Sequence, residues 1–411
     1  MLRLSSAFVS LLLLLPFLSA PAAAAERALR DVSEAEARAL HARVLTLDTH
    51  VDIGSGYATH ALDPGGFTQA QVDLPKMRAG GLDAAFFIVY VGQGPLDAEG
   101  FAAARAAAEA KYRAIERMVG AYPDQIGLAR TADEVEAIHA DGRRIALIGM
   151  ENAYPLGESI DEVPLWAERG VRYASLTHMG HNQFGGSANP RFDLGDDQRS
   201  AEITDLGRQL VAALNDHGIL VDISHVGKAT MLEAIELSRA PVIASHSGAK
   251  GVYDNPRNLD DEQLDAIRAN GGVAQMVAFR GYVAAMDPRV AEGQATLRQR
   301  LLADGWGNAT EAQRAAYGRE LEALRETYSD VTLAQFVDHI DYAVARIGVE
   351  HVGIVSDFDG GGGVEGWDDA SETANVTREL MRRGYSEDEI RALWGGNVLR
   401  ILRAAEAAAR D

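Results

Sequence analysis

Gly218 to Ser247 reads GILVDISHVGKATMLEAIELSRAPVIASHS. Two short apolar runs, GILVDISH and APVIASHS, flank a helix-prone segment over Lys228–Ser238, and each run closes on a histidine, His225 and His246. Nearly continuous apolar runs of this length fit parallel strands buried on both faces. Parallel neighbours need a crossover between them, which the helical segment supplies.

The same pattern recurs along the chain. RVLTLDTH, LDAAFFIVYV, RRIALIGMEN, GVRYASLTH, GGVAQMVAF and EHVGIVSDFDG complete a set of eight β-rich runs. Helical stretches lie between them, among them Phe101–Val119, Ile203–His217 and Asp260–Asn270. The last shows good ends, with acids early and Asn270-Gly271 as the stop. Eight such units predict a closed α/β architecture, the (β/α)8 TIM barrel. A doubly wound open sheet competes, but no Gly-rich phosphate fingerprint follows the first run. Residues 26–411 read as one barrel domain. Its one irregularity is a charged, helix-prone insertion over 284–330, between the seventh and eighth runs and beside the predicted active-site mouth. Gly360–Gly363 reads as a mobile loop.

The chain has 411 residues, 47% of them hydrophobic, which is enough for a sizeable core. Sixty acids against 39 Lys and Arg argue against nucleic acid or an anionic membrane as a partner. Residues 1–25 place Arg3 before a short apolar stretch and the small-residue segment SAPAAAAE, the pattern of a cleaved secretory signal. With no cysteine in the chain, this points to a bacterial periplasmic or secreted protein without disulfides or a lipid-bearing cysteine.

Barrel enzymes carry their reactive groups at the C-terminal ends of strands. Six of the eight runs end in a candidate group: His50 and Asp52, Glu151, His178, His225, His246, and Asp357 with Asp359. In LTLDTHVDIG (45–54), His50 and Asp52 alternate on an extended chain and so face one side. Four histidines and at least three carboxylates on one rim make the composition of a zinc-type hydrolytic site. His225 and His246, from consecutive strands, fall side by side, and Glu151 lies across the ring where it could bridge two ions about 3.5–4 Å apart. Asp48 reads as structural and Asp359 as loop-forming. His41, His60, His139, His217, His339 and His351 read as surface or packing residues, and His181 sits in a loop that could reach the site. The fourth run has no lysine to be carbamylated, which argues against the phosphotriesterase- and dihydroorotase-like branches of two-metal barrels.

The motifs DTHVD, IGMENAYPLG, RYASLTHMGHN, VDISHVGKATM, LSRAPVIASHSGAKGV, NPRNLDDEQL, HVGIVSDFDG and ELMRRGYSEDEIRALWGGNVLRIL together resemble the membrane (renal) dipeptidases, over nearly all of residues 26–411 and in order. The resemblance implies a zinc metallopeptidase of the amidohydrolase-like barrel class with two Zn2+ ions per subunit. His50, Asp52 and Asp357 would hold one ion, His225 and His246 the other, and Glu151 would bridge them. It further implies a hydroxide between the ions as nucleophile, Asp357 as proton carrier, His178 on the substrate carbonyl, and Arg257 on the terminal carboxylate of a dipeptide. L-L and L-D dipeptides and some β-lactams are the implied substrates, and a homodimer the implied assembly. The sequence departs from the mammalian enzymes in its longer 284–330 segment and its lack of cysteine, and it offers no apolar tail for a lipid anchor. Two other readings share the motifs: an N-acyl amino acid deacylase or other amide or lactone hydrolase on this scaffold, and a non-catalytic zinc-binding or sensory protein. The Asp357 and Arg257 pair speaks against the last.

Overall fold

The computed structural model describes residues 28–197, 202–302, 311–328 and 331–410. The expected secretory signal at 1–25 lies outside them. All eight runs are strands: β1 Leu47–Asp52, β2 Ala84–Tyr90, β4 Arg144–Glu151, β5 Val171–Ser175, β6 Leu220–Asp222, β7 Ile243–Ser247, β8 Val273–Val277 and β9 Val352–Val355. A three-residue strand, β3 Ile126–Leu128, was not legible. It takes one edge of β4 at its start, before β5 takes that edge from Ile148 onward.

The sheet order β1-β2-β4-β5-β6-β7-β8-β9 follows the chain, and every pairing is parallel. The ring is closed by a parallel bridge between Val51 and Phe358, where the Asp52 N–H donates to the Phe358 carbonyl at 2.9 Å. This is the expected (β/α)8 barrel.

Alternation along the strands explains the near-continuous apolar runs. On β2, Phe86 and Ile88 join an inner cluster with Leu147, Tyr173 and Leu220, whereas Phe87 and Val89 pack outward beneath the helices. Both faces are buried, and each such side chain contributes roughly 1.5–3 kcal/mol. The inner cluster also takes in Leu47, Ala84, Ile145 and Val273 at the strand starts, with Leu399 and Leu402 of the C-terminal helix. That helix, Asn397–Ala408, packs on the residues at the strand starts, and the opposite, C-terminal end is where barrel enzymes carry their sites.

Helix Asp261–Asn270 has the expected ends, a capping box between Asp260 and Gln263 and Gly271 at φ 81°. Between β8 and β9 run helices Pro288–Leu301 and Glu311–Thr327. They share a small core of Leu297, Leu302, Tyr317 and Leu321, separate from the barrel core.

The glycine run is a hydrogen-bonded turn. Gly360 and Gly362 both donate to the Asp357 carbonyl, at 3.2 and 2.8 Å, and Gly363 bridges to Phe279.

Candidate metal centre

At the C-terminal rim the predicted residues converge on Glu151, which is 3% exposed. One of its oxygens, Oε1, lies 3.0 Å from His225 Nε2, 3.3 Å from His246 Nε2 and 3.7 Å from His178 Nε2. The other, Oε2, lies 3.6 Å from His50 Nε2. His50 Nε2 is in turn 3.8 Å from Asp52 Oδ2 and 3.9 Å from Asp357 Oδ1. Three overlapping groups could each hold an ion: His50–Glu151–His246, Glu151–His178–His225 and His50–Asp52–Asp357. Glu151 and His50 each belong to two of these groups, and Glu151 offers a separate oxygen to His50 and to the His225–His246 pair.

Backbone strain collects at this rim. Asn152, His225 and Asp357, just past the ends of β4, β6 and β9, have φ of 74°, 66° and 59°. Each such non-glycine residue costs on the order of 1–3 kcal/mol and persists where the surroundings dictate it. At His225 and Asp357 the left-handed turns bring side chains from strand ends to the centre, whereas the Asn152 amide bonds to Val91 and Asn182 in the adjoining loops.

Hydrogen bonds behind the histidines set their tautomers. Ser245 Oγ donates to Asp222 Oδ2 at 2.7 Å and therefore accepts from His246 Nδ1 at 2.9 Å, leaving His246 Nε2 bare. Tyr173 OH donates to the Thr49 carbonyl and accepts from His50 Nδ1, both at 2.9 Å. Among the described residues His225 Nδ1 has no hydrogen-bond partner, and neither has the buried Asp52 Oδ1.

Electrostatics fit a cation. Burial first, then Arg257 beside His225 and His50 beside His246, push those two imidazoles well below their usual pKa range, the neutral form a metal needs. Burial works to raise Glu151, but His178, His50 and the other two rings hold it well below the ordinary carboxylate range. Burial pushes Asp357 well up, with Asp52 and Glu151 adding to it against the pull of His50. Two Nε2 atoms, His225 and His246, point at each other only 2.7 Å apart. Four imidazoles and three carboxylates in one buried pocket form a donor set whose crowded lone pairs and negative charge a divalent ion balances.

Residues 34–411 match the family model described as membrane dipeptidase (peptidase family M19). The chain belongs to that family. It is a metallo-dipeptidase, a hydrolase of peptide bonds. Dipeptidase aclJ of Aspergillus oryzae is 31% identical over 83% of this chain and 71% of its own. Dipeptidase 3 of Rattus norvegicus is 29% identical over 83% of this chain and 59% of its own. The solved probable dipeptidase PvdM of Pseudomonas aeruginosa is 32% identical with a TM-score of 0.81, over 92% of this chain and 99% of that one. A Rhodobacter sphaeroides metallopeptidase, solved with a phosphinate mimic of L-Ala-D-Ala, shares the fold at TM-score 0.70 and 24% identity, over 88% of this chain and 99% of that one.

Other residues of this dipeptidase complete the site. Arg257, 3% exposed, donates through Nη2 to the His246 carbonyl at 3.0 Å, and its guanidinium lies 5.2 Å from the Tyr282 ring centroid. Asp48 is structural as read, accepting the His50 and Ser356 N–H groups and tying β1 to the end of β9; burial pushes it up to about 6. Asp359 is loop-forming as read, accepting from Gln71 and Val72. His181 accepts the Ser187 N–H within its own loop.

Sequence reasoning missed Asp222, Ser245, Tyr173, Tyr90 and Lys111. An acid inside the apolar run ILVD was the available signal for Asp222. Tyr90, closing β2, sets its ring edge-on to His178 at 4.7 Å. Lys111 arrives from helix Ala98–Ala121, with Nζ 3.7 Å from Asp52 Oδ1, and nothing in its spacing announced it.

The Asp222–Ser245–His246 relay makes a prediction. Ser245→Ala should weaken metal retention in a chelator competition by about 10–100-fold. Retention equal to that of the parent would show that the relay does not orient His246.

Proposed function

We propose that this dipeptidase is a binuclear zinc enzyme, exported to a bacterial periplasm or beyond, that cleaves L-L and L-D dipeptides. The observation that carries the two-ion reading is the split of Glu151, one oxygen toward His225 and His246 and the other toward His50. In this reading His50, Asp52 and Asp357 hold one ion, His225 and His246 the other, and Glu151 both. The bound ions supply Lewis-acid polarisation of the scissile carbonyl and lower the pKa of the attacking water.

The protein's own groups do the rest. His178, half-buried beside Glu151, donates to the carbonyl oxygen as negative charge grows on it. The Asp357 carboxylate takes the proton of the attacking water and hands it to the departing amine. Arg257 grips the terminal carboxylate. What supports that role is a buried guanidinium with no carboxylate partner among the described residues and with its Nε unbonded, an arrangement proteins rarely tolerate unless a ligand completes it.

No helix among the described residues is long and apolar enough to cross a membrane. Export rests on the Arg3-led apolar stretch, and a homodimer on the family resemblance. The L-D range rests on that resemblance too.

The test is hydrolysis of L-L and L-D dipeptides and their N-acylated counterparts, by metal-stripped and zinc-reloaded protein. Zinc-dependent cleavage of free dipeptides, with two zinc ions per chain, is expected. Cleavage of the N-acylated compounds alone would move the substrate class to N-acyl amino acids. Two bound zinc ions without turnover would leave a sensory role. In the same assay Arg257→Met should raise KM for dipeptides by roughly 10–100-fold, the value of a charge-assisted pair.

A further inference from the structure

His339 reads from sequence as a surface or packing residue; the structure places it on helix Leu333–Ile347 and buries it completely. A leucine would fill such a position. Both imidazole nitrogens are instead engaged, at equal distances and in opposite senses. Nδ1 accepts the Ala249 N–H at 2.9 Å, and Nε2 donates to the Val283 carbonyl at 2.9 Å. One neutral tautomer satisfies both bonds.

The two backbone groups belong to two different loops of the barrel mouth. Ala249 opens the segment that runs from β7 to Leu259 and carries Arg257, and its ends are paired to each other. Val283 ends the one-turn helix Arg280–Val283, which carries Tyr282 against the Arg257 guanidinium. Two asparagines join the same partners from the other side: Asn255 Nδ2 donates to the Gly281 carbonyl at 2.9 Å, and Asn258 Nδ2 to the Tyr282 carbonyl at 2.8 Å. The base of that one-turn helix is also tied to the turn beside Asp357, through the Phe279–Gly363 bridge. His339 is thus the side chain behind the Arg257 loop that fixes it to the Tyr282 turn. A buried polar group with every bond made specifies a single arrangement, and its loss leaves the Ala249 N–H without an acceptor.

We propose that His339 is a positioning residue for the substrate carboxylate: it holds the Arg257 loop against the Tyr282 turn so that the guanidinium meets the dipeptide's terminus in register. This rests on the reading of Arg257 as the carboxylate clamp. The hydrogen bonds of His339 among the described residues go to Ala249 and Val283 and not to a proposed metal ligand, so metal content should be unchanged by its loss. A displacement of about 1 Å at a clamp can cost as much as a hundredfold.

The experiment compares a dipeptide with its C-terminal amide, using zinc-loaded parent, His339→Leu, His339→Gln and Arg257→Met, with metal content and thermal midpoint measured on each. Expected is a KM for the free dipeptide raised roughly 10–100-fold by His339→Leu, with kcat changed by less than about threefold, since uniform binding is what is lost. The amide, lacking the carboxylate, should show no difference between His339→Leu and parent, and His339→Gln, which keeps one donor and one acceptor, should recover most of the KM. If His339→Leu does not fold, His339→Asn takes its place, its amide oxygen keeping an acceptor for Ala249 while its N–H, one bond short, does not reach Val283, and the same split is required of it. Equal losses on dipeptide and amide, or a loss carried in kcat or metal content, would make His339 merely structural and overturn the proposal. If Arg257→Met fails to separate dipeptide from amide, the clamp reading falls and the proposal with it. If Arg257→Met separates them and the His339 variant does not, only the proposal falls.

Discussion

His225→Ala should lower kcat/KM on a dipeptide by about three orders of magnitude or more, with far-UV circular dichroism unchanged and the thermal midpoint close to the parent's. The size follows from the chemistry: removing one ligand removes several kcal/mol of transition-state charge stabilisation, at tenfold per 1.36 kcal/mol. The small stability change follows from the local structure. His225 sits at φ 66°, and its Nδ1 has no partner among the described residues, so the ring is held by its neighbours at the centre rather than by the fold. His50 and His246, by contrast, are fastened through Tyr173 and Ser245, so truncating them should disturb the barrel interior as well. Activity, zinc content and melting temperature on one preparation test this. Full activity with both zinc ions retained would falsify the ligand assignment.

The second large effect is expected at a residue with no side chain. A Cβ on Gly360 would lie 2.7 Å from Asp52 Oδ2 and closer still to Asp357 Oδ1. Real Cβ atoms do not approach so near, and what must yield is a pair of carboxylates. Gly360→Ala should therefore cost about a hundredfold in activity by displacing groups that need near-ideal placement, and it should loosen metal binding with little change in melting temperature. Gly362→Ala is the control. Its Cβ would run into the Ser356 carbonyl oxygen, a backbone atom that cannot swing aside, so the expected loss is in stability, by a few kcal/mol. If Gly360→Ala is as active and as well loaded with metal as the parent, the glycine turn does not shape the centre.

The eight strands were legible because each is buried on both faces and must therefore be apolar at nearly every position, as Phe86 inside and Phe87 outside show on β2. The proposed ligands stood out in the sequence for the opposite reason. His50, Glu151, His225, His246 and Asp357 stand where an apolar run ends, and a titratable group there has no packing role to explain it. β3 escaped notice because three residues carry no period. Asp222 and Ser245 were passed over because polar residues inside a strand show their purpose only when the neighbouring strand is in place: the relay to His246 exists through the parallel pairing of β6 with β7. His339 was read only as a surface or packing residue, and it is buried. That its two nitrogens join Ala249 to Val283 depends on atoms about 90 and 56 positions away in the chain.

The amino-acid sequence by itself determined the barrel, the order of its strands and the residues offered at its rim, because burial and backbone periodicity act locally and leave a local record. Only the tertiary structure decided that one oxygen of Glu151 faces two histidines and the other faces a third, and that Gly360 leaves room for two carboxylates. It alone decided that an imidazole joins the loop carrying Arg257 to the turn carrying Tyr282. Those relations are distances of a few ångströms between groups brought together by ring closure, and no spacing along a chain encodes them.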